Sequence, residues 1–257
     1  MCATCGCGHG EVRIEGVTHD TDHFKGFRPA AHAPDVSPAR MVQIEQDILS
    51  KNNDLAGANR KFFAMRGIFA LNMVSSPGSG KTSLLVRTID DLKGKLPVAV
   101  IEGDQETSND AERIRATGAA AVQINTGRGC HLDAHMVMGA LEQLKPAPAS
   151  VLFIENVGNL VCPAAFDLGE AARVALFSVT EGEDKPLKYP DIFASADLVL
   201  INKIDLLPHL SYDMAKAEAN VRRVNPRARI MKLSATSGEG LAEWYQWLAD
   251  PSARAAA

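Results

Sequence analysis

The sequence of 257 residues carries 27 basic and 31 acidic side chains, and 46% of its residues are hydrophobic. This length suits one α/β domain with an appendage, and the hydrophobic fraction is enough to bury a sizeable core. The net charge of -4 gives no sign of a nucleic-acid partner or of attraction to an anionic membrane surface.

The N-terminal segment has the composition of a tail. Residues 1–38 mix glycine, proline, histidine and charge without an apolar period, so we predict a flexible metal-binding tail and linker before a domain at 39–257. The segment lacks the pattern of a signal peptide, and no run approaches the roughly 20 apolar residues of a membrane helix. We therefore expect a soluble, cytoplasmic protein with no membrane contact, whose thiols stay reduced.

Three cysteines lie close together in this tail, at Cys2, Cys5 and Cys7. Interleaved glycines would let the chain fold around one ion, and soft thiolates select late transition metals over Mg²⁺ or Ca²⁺. The alternative is three incidental exposed thiols. The spacing favours a metal site.

Helix signals begin near Ala39 and return in a second helical stretch through Phe62 and Phe63. After Gly67, short apolar runs typical of strands alternate with helical stretches, at 68–74, 98–102, 121–125, 151–155, 174–179, 198–202 and 229–233. Strands this apolar suit a sheet covered on both faces. We predict a doubly wound, mainly parallel sheet of about seven strands with helices on both faces, whose ligands bind at the carboxyl ends of the strands. Near the C-terminus, Trp244 and Trp247 have the spacing of a packed helix face.

The first predicted strand leads into Ser75-Ser76-Pro77-Gly78-Ser79-Gly80-Lys81-Thr82 and then into a helix, as a phosphate-binding P-loop requires. The glycines let backbone N–H groups face phosphate oxygens, and the helix N-terminus adds positive partial charge. Lys81 would reach the β- and γ-phosphates, and Thr82 would bind Mg²⁺. Ser75 stands where the consensus has glycine, and the alternative is a glycine-rich turn with an exposed lysine. The predicted contacts are Gly78, Ser79, Gly80, Lys81, Thr82 and Ser83.

A guanine-reading motif follows a later strand, at Asn202-Lys203-Ile204-Asp205. Guanine presents two adjacent donors, N1–H and the 2-amino group, which match the two oxygens of an ionised Asp205. Lys203 would cover the base and Asn202 would brace the neighbouring loop. Further on, Ser234 and Ala235 follow a strand, where a backbone N–H could contact guanine O6. The short motif also occurs in chance turns, but its place downstream of a P-loop favours GTP and GDP.

Two strand ends supply carboxylates, Asp104 and Glu155. A GTPase needs an acid near Mg²⁺ and a backbone N–H that senses the γ-phosphate, here assigned to Gly158. We favour Asp104 as the acid that binds magnesium directly or through water, with Glu155 as second candidate; a solvated loop carboxylate stays open for each. Asn159 stands where the usual Asp-x-x-Gly-Gln sequence has its water-orienting glutamine, so we expect slow hydrolysis. The predicted catalytic residues are Lys81, Asp104, Glu155 and Gly158.

A second group of soft ligands comprises Cys130, His131 and Cys162. These residues are one ligand short of a tetrahedral site, and an interface between two chains could supply the fourth. Cys162 follows Gly158 by four residues, so nucleotide state could move it. The alternative is two buried structural cysteines beside a surface histidine.

Together these motifs resemble the HypB family of GTPases, which help to insert nickel into nickel-iron hydrogenase, and the resemblance covers essentially the whole chain. It implies a nickel site at Cys2, Cys5 and Cys7, and a nickel or zinc site at the second cluster near the interface of a GTP-promoted homodimer. It also implies other hydrogenase maturation proteins and the hydrogenase large subunit as partners.

The sequence thus predicts a GTP-hydrolysing nickel metallochaperone that uses GTP, Mg²⁺, Ni²⁺ and Zn²⁺. Two other classes stay open. A GTPase that serves urease or a cobalamin enzyme would share the nucleotide motifs, although the three N-terminal cysteines disfavour it. A non-enzymatic nickel or zinc sequestration protein would share the cysteines but would not need Lys81, Thr82 and Asp205.

Overall fold

The computed structural model describes residues 12–15, 17–18, 38–105 and 107–250. The strands in these ranges form one sheet in the order β2-β1-β5-β4-β6-β3-β7-β8-β9. They are β1 (Arg13–Ile14), β2 (Val17–Thr18), β3 (Phe69–Ser75), β4 (Val98–Asp104), β5 (Ala120–Asn125), β6 (Val151–Glu155), β7 (Ala172–Ser178), β8 (Leu198–Asn202) and β9 (Arg229–Lys232). The strands from β3 to β9 run parallel, which confirms the predicted sheet and all seven of its strands.

Helices cover both faces of the sheet. They are α1 (Pro38–Arg66), α2 (Lys81–Leu92), α3 (Asn109–Ala116), α4 (Ala134–Leu144), α5 (Lys185–Lys188), α6 (Pro190–Ala194), α7 (Met214–Val224) and α8 (Leu241–Ala249), with 3₁₀ turns at 162–165 and 204–209. Successive strand residues point to opposite faces. In β3, Leu71 and Met73 pack with α2 and α8, whereas Ala70 lies in the cluster that α1 and α4 contribute to. The core is thus split into layers on either side of one sheet.

The last helix confirms the packed face predicted from its tryptophans. Trp244 is fully buried and donates its indole N–H to the hydroxyl of Thr88 on α2 at 2.9 Å. Trp247 stacks on it with ring centroids 5.5 Å apart. The indole N–H therefore has the buried partner that such a group needs.

One helix stands where two helical stretches were predicted. α1 is continuous over 29 residues. Gly57 does not interrupt it, because an isolated glycine weakens a helix by only about 1 kcal/mol. Buried asparagines on α1 also pin it to the loops: Asn59 donates to the carbonyls of Ala134 and Leu168, and Asn52 donates to that of Asp167. Tertiary contacts of this kind outweigh the local helix-breaking tendency.

The described part of the predicted tail contains two short strands that no apolar period indicated. β1 pairs antiparallel with β5, with Arg13 opposite Asn125 and Ile14 opposite Ile124. Because β5 runs toward the carboxyl edge of the sheet, Arg13 lies at that edge. The Glu15 carboxylate holds the pairing by accepting from the backbone N–H of Gln123 at 2.7 Å. The division of the chain near residue 38 stays a prediction.

Among the helices that the structure describes, none combines the length and the apolar character needed to cross a membrane. The longest, α1, carries charged and amide side chains along its length.

Candidate functional site

The predicted P-loop joins the end of β3 to the start of α2. Gly78 and Gly80 adopt left-handed backbone angles, with φ of 76° and 95°. A Cβ atom at Gly80 would lie 2.6 Å from the side-chain nitrogen of Asn202. Position 80 therefore requires glycine both for its backbone angle and for the close approach of the guanine motif.

The loop lysine is buried and held in place by the serine that replaces the consensus glycine. Lys81 is only 9% exposed, and its ammonium donates to the hydroxyl of Ser75 at 3.1 Å. The hydroxyl of Ser79 donates to the carbonyl of Ser76 at 2.7 Å, which tightens the turn. Ser83, by contrast, is exposed and accepts from Arg113 at 3.3 Å. Ser75, which stands where the consensus has glycine, thus supplies a hydrogen-bond partner for the loop lysine.

The guanine motif is hydrogen-bonded directly to the P-loop. Asn202 donates from its amide to the carbonyl of Ser79 at 2.9 Å and accepts from the N–H of Ala235 at 3.3 Å. Lys203 has a left-handed φ of 62° and donates to the carbonyl of Gly78 at 2.7 Å. Residues 123 and 125 positions apart in sequence are thereby brought together at the carboxyl ends of β3 and β8.

Asp205 is the residue best suited to read a base. Its Oδ1 is buried and has no hydrogen-bond partner within the part of the chain that the structure describes. A buried acceptor is costly to leave unpaired, so a ligand donor fits here. Ser234 is fully buried and uses its hydroxyl oxygen to accept from the N–H groups of Thr236 and Ser237. Ser234 therefore shapes the base-side loop, while Asp205 offers a vacant acceptor.

The two predicted magnesium acids have different partners. The hydroxyl of Thr82 donates to Glu155 at 2.8 Å, and Glu155 is 3% exposed. Asp104 instead accepts from the N–H of Gln105 at 2.7 Å and from the N–H and hydroxyl of Thr107 at 3.0 and 2.6 Å. The structure brings together Thr82 and Glu155, whereas the oxygens of Asp104 bind its own loop.

A third carboxyl group, Glu102, lies beside Glu155, and no motif marks it. The two residues are paired in register across β4 and β6. Burial, and then the carboxylates of Glu155 and Asp104, raise the pKa of Glu102 to about 9. Burial also raises the pKa of Glu155, against the opposing effects of the Lys81 ammonium and the Thr82 hydroxyl. At neutral pH these two neighbouring carboxyl groups therefore hold at least one proton.

Replacing Glu102 by glutamine is expected to stabilise the metal-free, nucleotide-free protein as pH rises. A carboxyl group whose pKa is raised in the folded state, such as that of Glu102, stabilises the protein fully below its ordinary pKa of 4.5. This stabilisation is lost as pH rises through about 9. Glutamine cannot ionise, so the variant should gain on the order of 1 kcal/mol or more near pH 8, and little near pH 5. Urea denaturation across this range measures the difference. The exposed Glu239→Gln is the control, and a difference independent of pH would contradict the prediction.

The glycine assigned to the γ-phosphate lies against the P-loop. A Cβ atom at Gly158 would meet Pro77 at 3.1 to 3.2 Å, so position 158 needs a small residue for this contact. The next residue, Asn159, donates from its amide to the carbonyl of Cys130 at 3.3 Å. The loop after β6 therefore contacts the P-loop on one side and the segment that carries Cys130 on the other.

The second group of soft ligands is assembled as the sequence indicated. The ligand atoms of Cys130, His131 and Cys162 all lie within 4.8 Å of one another, and Cys162 is buried while the other two are partly exposed. The ring of Phe166 packs against the His131 imidazole, with centroids 4.0 Å apart and an angle of 33° between the ring planes. Two thiols and an imidazole at this separation can bind a soft metal ion. The predicted N-terminal ligands Cys2, Cys5 and Cys7 lie outside the described residues.

Glu181 is another residue at the pocket that no motif singled out. Its carboxylate accepts from the N–H of Ser178 at 3.0 Å. Burial alone would raise the pKa of Glu181, but hydrogen bonds from Ser79, Ser76 and the Ser178 backbone lower it overall. The residue thus braces the P-loop from the end of β7. Its position after an apolar strand was the one available sequence signal.

The sheet, the P-loop and the guanine motif define a P-loop nucleotide-binding protein. The family model described as CobW/HypB/UreG, nucleotide-binding domain, matches residues 69–232. Hydrogenase maturation factor HypB of Rhizobium leguminosarum bv. viciae is 54% identical over 100% of this chain and 98% of its own length. HypB of Escherichia coli (strain K12) is 52% identical over 96% of this chain and 98% of its own length.

Solved structures agree with these relatives. HypB from Archaeoglobus fulgidus superposes with a TM-score of 0.73 at 42% identity, covering 78% of this chain and 98% of that one. HypB from Helicobacter pylori in complex with nickel superposes with a TM-score of 0.74 at 39% identity, covering 77% and 94%. The chain therefore belongs to the HypB hydrogenase maturation factors, which are P-loop GTPases of the CobW/HypB/UreG family.

Proposed function

We propose that this chain hydrolyses GTP and uses the nucleotide cycle to deliver nickel during maturation of nickel-iron hydrogenase. The observation that carries the proposal is the short link between the two sites. Gly158 packs against Pro77 of the P-loop, and Cys162, four residues further on, joins Cys130 and His131 within 4.8 Å. The nickel complex of the Helicobacter pylori relative supports nickel as the ion.

The nucleotide side is proposed to work through the P-loop and Asp205. Backbone N–H groups of residues 78–83 surround the phosphates at the N-terminus of α2, and the Lys81 ammonium moves from Ser75 to the β- and γ-phosphates. Asp205 accepts from guanine N1–H and the 2-amino group. Gly158 donates its N–H to the γ-phosphate, so the loop after β6 differs between the GTP and GDP states.

The residues around Thr82 fit a magnesium ion. Thr82 and Glu155 bring two oxygen ligands together, and the Oε2 atom of Glu155 is buried without a partner among the described residues. Hard oxygen donors of this kind suit Mg²⁺. Thr82 and Glu155 would hold the ion, with Asp104 at the end of the adjacent strand β4. Bound Mg²⁺ supplies neutralisation of the charge that develops on the phosphate oxygens.

The proposed hydrolysis is slow. Asn159 occupies the position of the water-orienting glutamine, but its amide already donates to the carbonyl of Cys130 and its oxygen accepts from the N–H of Val161 at 2.8 Å. These bonds direct the side chain toward the metal cluster. A side chain held by these two hydrogen bonds orients an attacking water poorly. The resulting slow hydrolysis suits a regulatory switch more than a metabolic enzyme.

The metal side is proposed to operate at an interface between two copies of the chain. Cys130, His131 and Cys162 offer one ligand fewer than a tetrahedral site requires, and a two-fold interface can supply more. Val161, next to Cys162, is 49% exposed and would be covered in such a dimer. Nickel or zinc would bind in one nucleotide state and leave in the other, toward other maturation proteins or the hydrogenase large subunit.

The N-terminal thiols are proposed to form a separate nickel site. Arg13 is at the carboxyl edge of the sheet, opposite Asn125, and Cys130 follows Asn125 by five residues. Cys7 precedes Arg13 by six residues, enough for an extended segment of about 20 Å. β1 therefore begins at the edge of the sheet that carries the second cluster.

A role in urease maturation is the second candidate. One relative, from Helicobacter pylori, is described as a hydrogenase/urease maturation factor HypB and is 40% identical over 80% of this chain and 86% of its own length. The same nucleotide and metal chemistry would serve either nickel enzyme. Complementation of strains that lack HypB, assayed separately for hydrogenase and urease, distinguishes the two.

Replacing Cys162 by alanine is expected to weaken nickel binding at the second cluster and to abolish its dependence on nucleotide. Loss even of groups that orient a metal ligand typically costs 10–100-fold in affinity, so losing a ligand should cost at least about that much. Nickel titrations with GDP and with a non-hydrolysable GTP analogue measure both effects. Cys2→Ala is the matched control, because it should weaken the N-terminal site alone. Equal nickel affinity of the wild type in the two nucleotide states would contradict the proposal.

A further inference from the structure

Four polar side chains form a hydrogen-bonded path between the nucleotide pocket and both halves of the metal cluster. We call Asn156, Asn72, Glu170 and Arg173 the asparagine network. Asn156 and Asn72 are buried residues, and the Glu170 and Arg173 side chains are 7% and 10% exposed. Asn156 occupies an unspecified position between Glu155 and Gly158, and none of the four is a predicted nucleotide contact or metal ligand. Their polar groups are paired with one another and with backbone groups of the two sites.

Asn156 connects the end of β6 to the loop that carries His131. It directly follows Glu155, and its N–H donates to the carbonyl of Met73 in β3 at 3.0 Å. Its Oδ1 accepts from the N–H of Val157 at 3.0 Å and from the N–H of Leu132 at 3.1 Å. One side-chain oxygen thus holds the segment leading to Gly158 and the residue next to His131.

The other end of Asn156 leads toward Cys162. Its amide donates to Asn72 Oδ1 at 3.2 Å, and the Asn72 amide donates to Glu170 Oε1 at 3.1 Å. Arg173 donates to the same Glu170 oxygen at 3.0 Å. It also donates to the carbonyl of Ala164 at 3.0 Å and to that of Phe166 at 2.8 Å. These carbonyls belong to the 3₁₀ turn that begins at Cys162 and to the residue just after it.

The path closes at the metal cluster itself. The ring of Phe166 packs against that of His131, and the Phe166 carbonyl accepts from Arg173. Asn156 therefore reaches the cluster by two routes, through Leu132 on one side and through Arg173 and Phe166 on the other. The protein is destabilised when a buried polar group loses its hydrogen-bond partner, because no water takes the place of that partner. A displacement of the loop after β6 must therefore move these partners or break their bonds.

We propose that Asn156 and Asn72 are positioning residues that transmit the nucleotide state to the Cys130, His131 and Cys162 cluster. This inference rests on the proposed function, since it assigns a structural route to the coupling between GTP and metal. When the N–H of Gly158 engages a γ-phosphate, the end of β6 shifts, and the asparagine network carries the shift to the residues that flank both cysteines. Coupling of this kind is a ratio of affinities and is reciprocal between the two ligands.

The test measures this ratio in the full-length chain. Cys2, Cys5 and Cys7 are replaced by serine, so that thiolate-to-nickel charge-transfer absorbance reports on the second cluster alone. The nickel Kd is measured with GDP and with a non-hydrolysable GTP analogue in the presence of Mg²⁺. Allosteric ratios typically lie between about 5 and 150. We expect Asn72→Leu to reduce the ratio below about 3, while the Kd for GDP without metal and the Kd for nickel without nucleotide change by less than about three-fold.

A second variant keeps the test decisive if Asn72→Leu does not fold. Asn156→Asp retains the oxygen that accepts from Val157 and Leu132 but loses the N–H that donates to Asn72, so it should also reduce the ratio. The matched control is Asn225→Leu. Asn225 is a buried asparagine whose amide donates to the carbonyls of Phe193, Ala194 and Ala196, and its loss should leave the ratio unchanged.

The outcomes separate this inference from the proposed function. A wild-type ratio above about 5 that survives in both network variants would overturn the role of the network and leave the coupling itself intact. A ratio that falls equally in Asn225→Leu would also overturn it, because general destabilisation would then explain the effect. A wild-type ratio of one would refute the coupling in the proposed function, and the inference with it.

Discussion

Replacing Lys81 by alanine is expected to lower kcat for GTP hydrolysis by about 10²–10³-fold, the usual loss when one preorganised donor to a transition-state oxygen is removed. Lys81 is buried at the start of α2 and is held by Ser75 in the loop. Its ammonium is thus positioned before the nucleotide binds. Phosphate release under single-turnover conditions measures the effect on the chemical step.

The control for this substitution lies on the same helix. Arg87 is a partly exposed cation of α2 that pairs with Asp91 at 2.8 Å, one helical turn away. Pairs of this type contribute only about 0.3–0.5 kcal/mol, so Arg87→Ala should leave kcat within about two-fold of the wild type. An equal loss in both variants would show that helix stability, and not phosphate contact, explains the change.

The predicted features that the structure confirms are those with a local physical cause. All seven parallel strands were predicted, because a strand covered on both faces must be apolar at nearly every position. The P-loop was predicted because its glycines, lysine and threonine must follow a strand and precede a helix at fixed spacing. Cys130, His131 and Cys162 were grouped as one set of soft ligands, and the structure places them together.

The features that sequence patterns did not indicate depend on strand register and long-range contacts. Glu102 is a charged residue inside a mostly apolar strand, and its contact with Glu155 becomes evident only when β4 is aligned with β6. The contact between Asn156 and Leu132 joins residues 24 positions apart and depends on how two loops meet. β1 has two residues, too few for any period to show.

The sequence also provides little basis for choosing between the two candidate magnesium-binding carboxylates. Asp104 and Glu155 both end parallel strands, so sequence position alone treats them alike. In the folded chain Asp104 accepts three hydrogen bonds from Gln105 and Thr107, whereas Glu155 pairs with Thr82 and keeps one buried oxygen unpaired. The geometry therefore favours Glu155 at this position, and the role of each acid stays a proposal.

Replacing Asp205 by asparagine is expected to lower affinity for GDP by about 10²-fold or more and to create affinity for xanthosine diphosphate. A hydrogen bond to a charged group contributes about 1.5–3 kcal/mol, and the guanine 2-amino group would lose its acceptor and face an N–H donor. Xanthine carries an oxygen in place of that amino group. The asparagine amide can therefore accept from xanthine N1–H and donate to the new oxygen.

The predicted gain of affinity for xanthosine diphosphate distinguishes altered base recognition from a general loss of structure. Competition of GDP and xanthosine diphosphate against a fluorescent nucleotide measures both affinities. Asp213→Asn is the control, since Asp213 caps α7 through the N–H of Lys216 and lies outside the predicted base-binding motif. A variant at Asp205 that loses GDP without gaining xanthosine diphosphate would contradict the assignment. Because the Asp205 Oδ1 atom is buried and unpaired within the described chain, its pairing with a base donor is the contact most able to select the nucleotide.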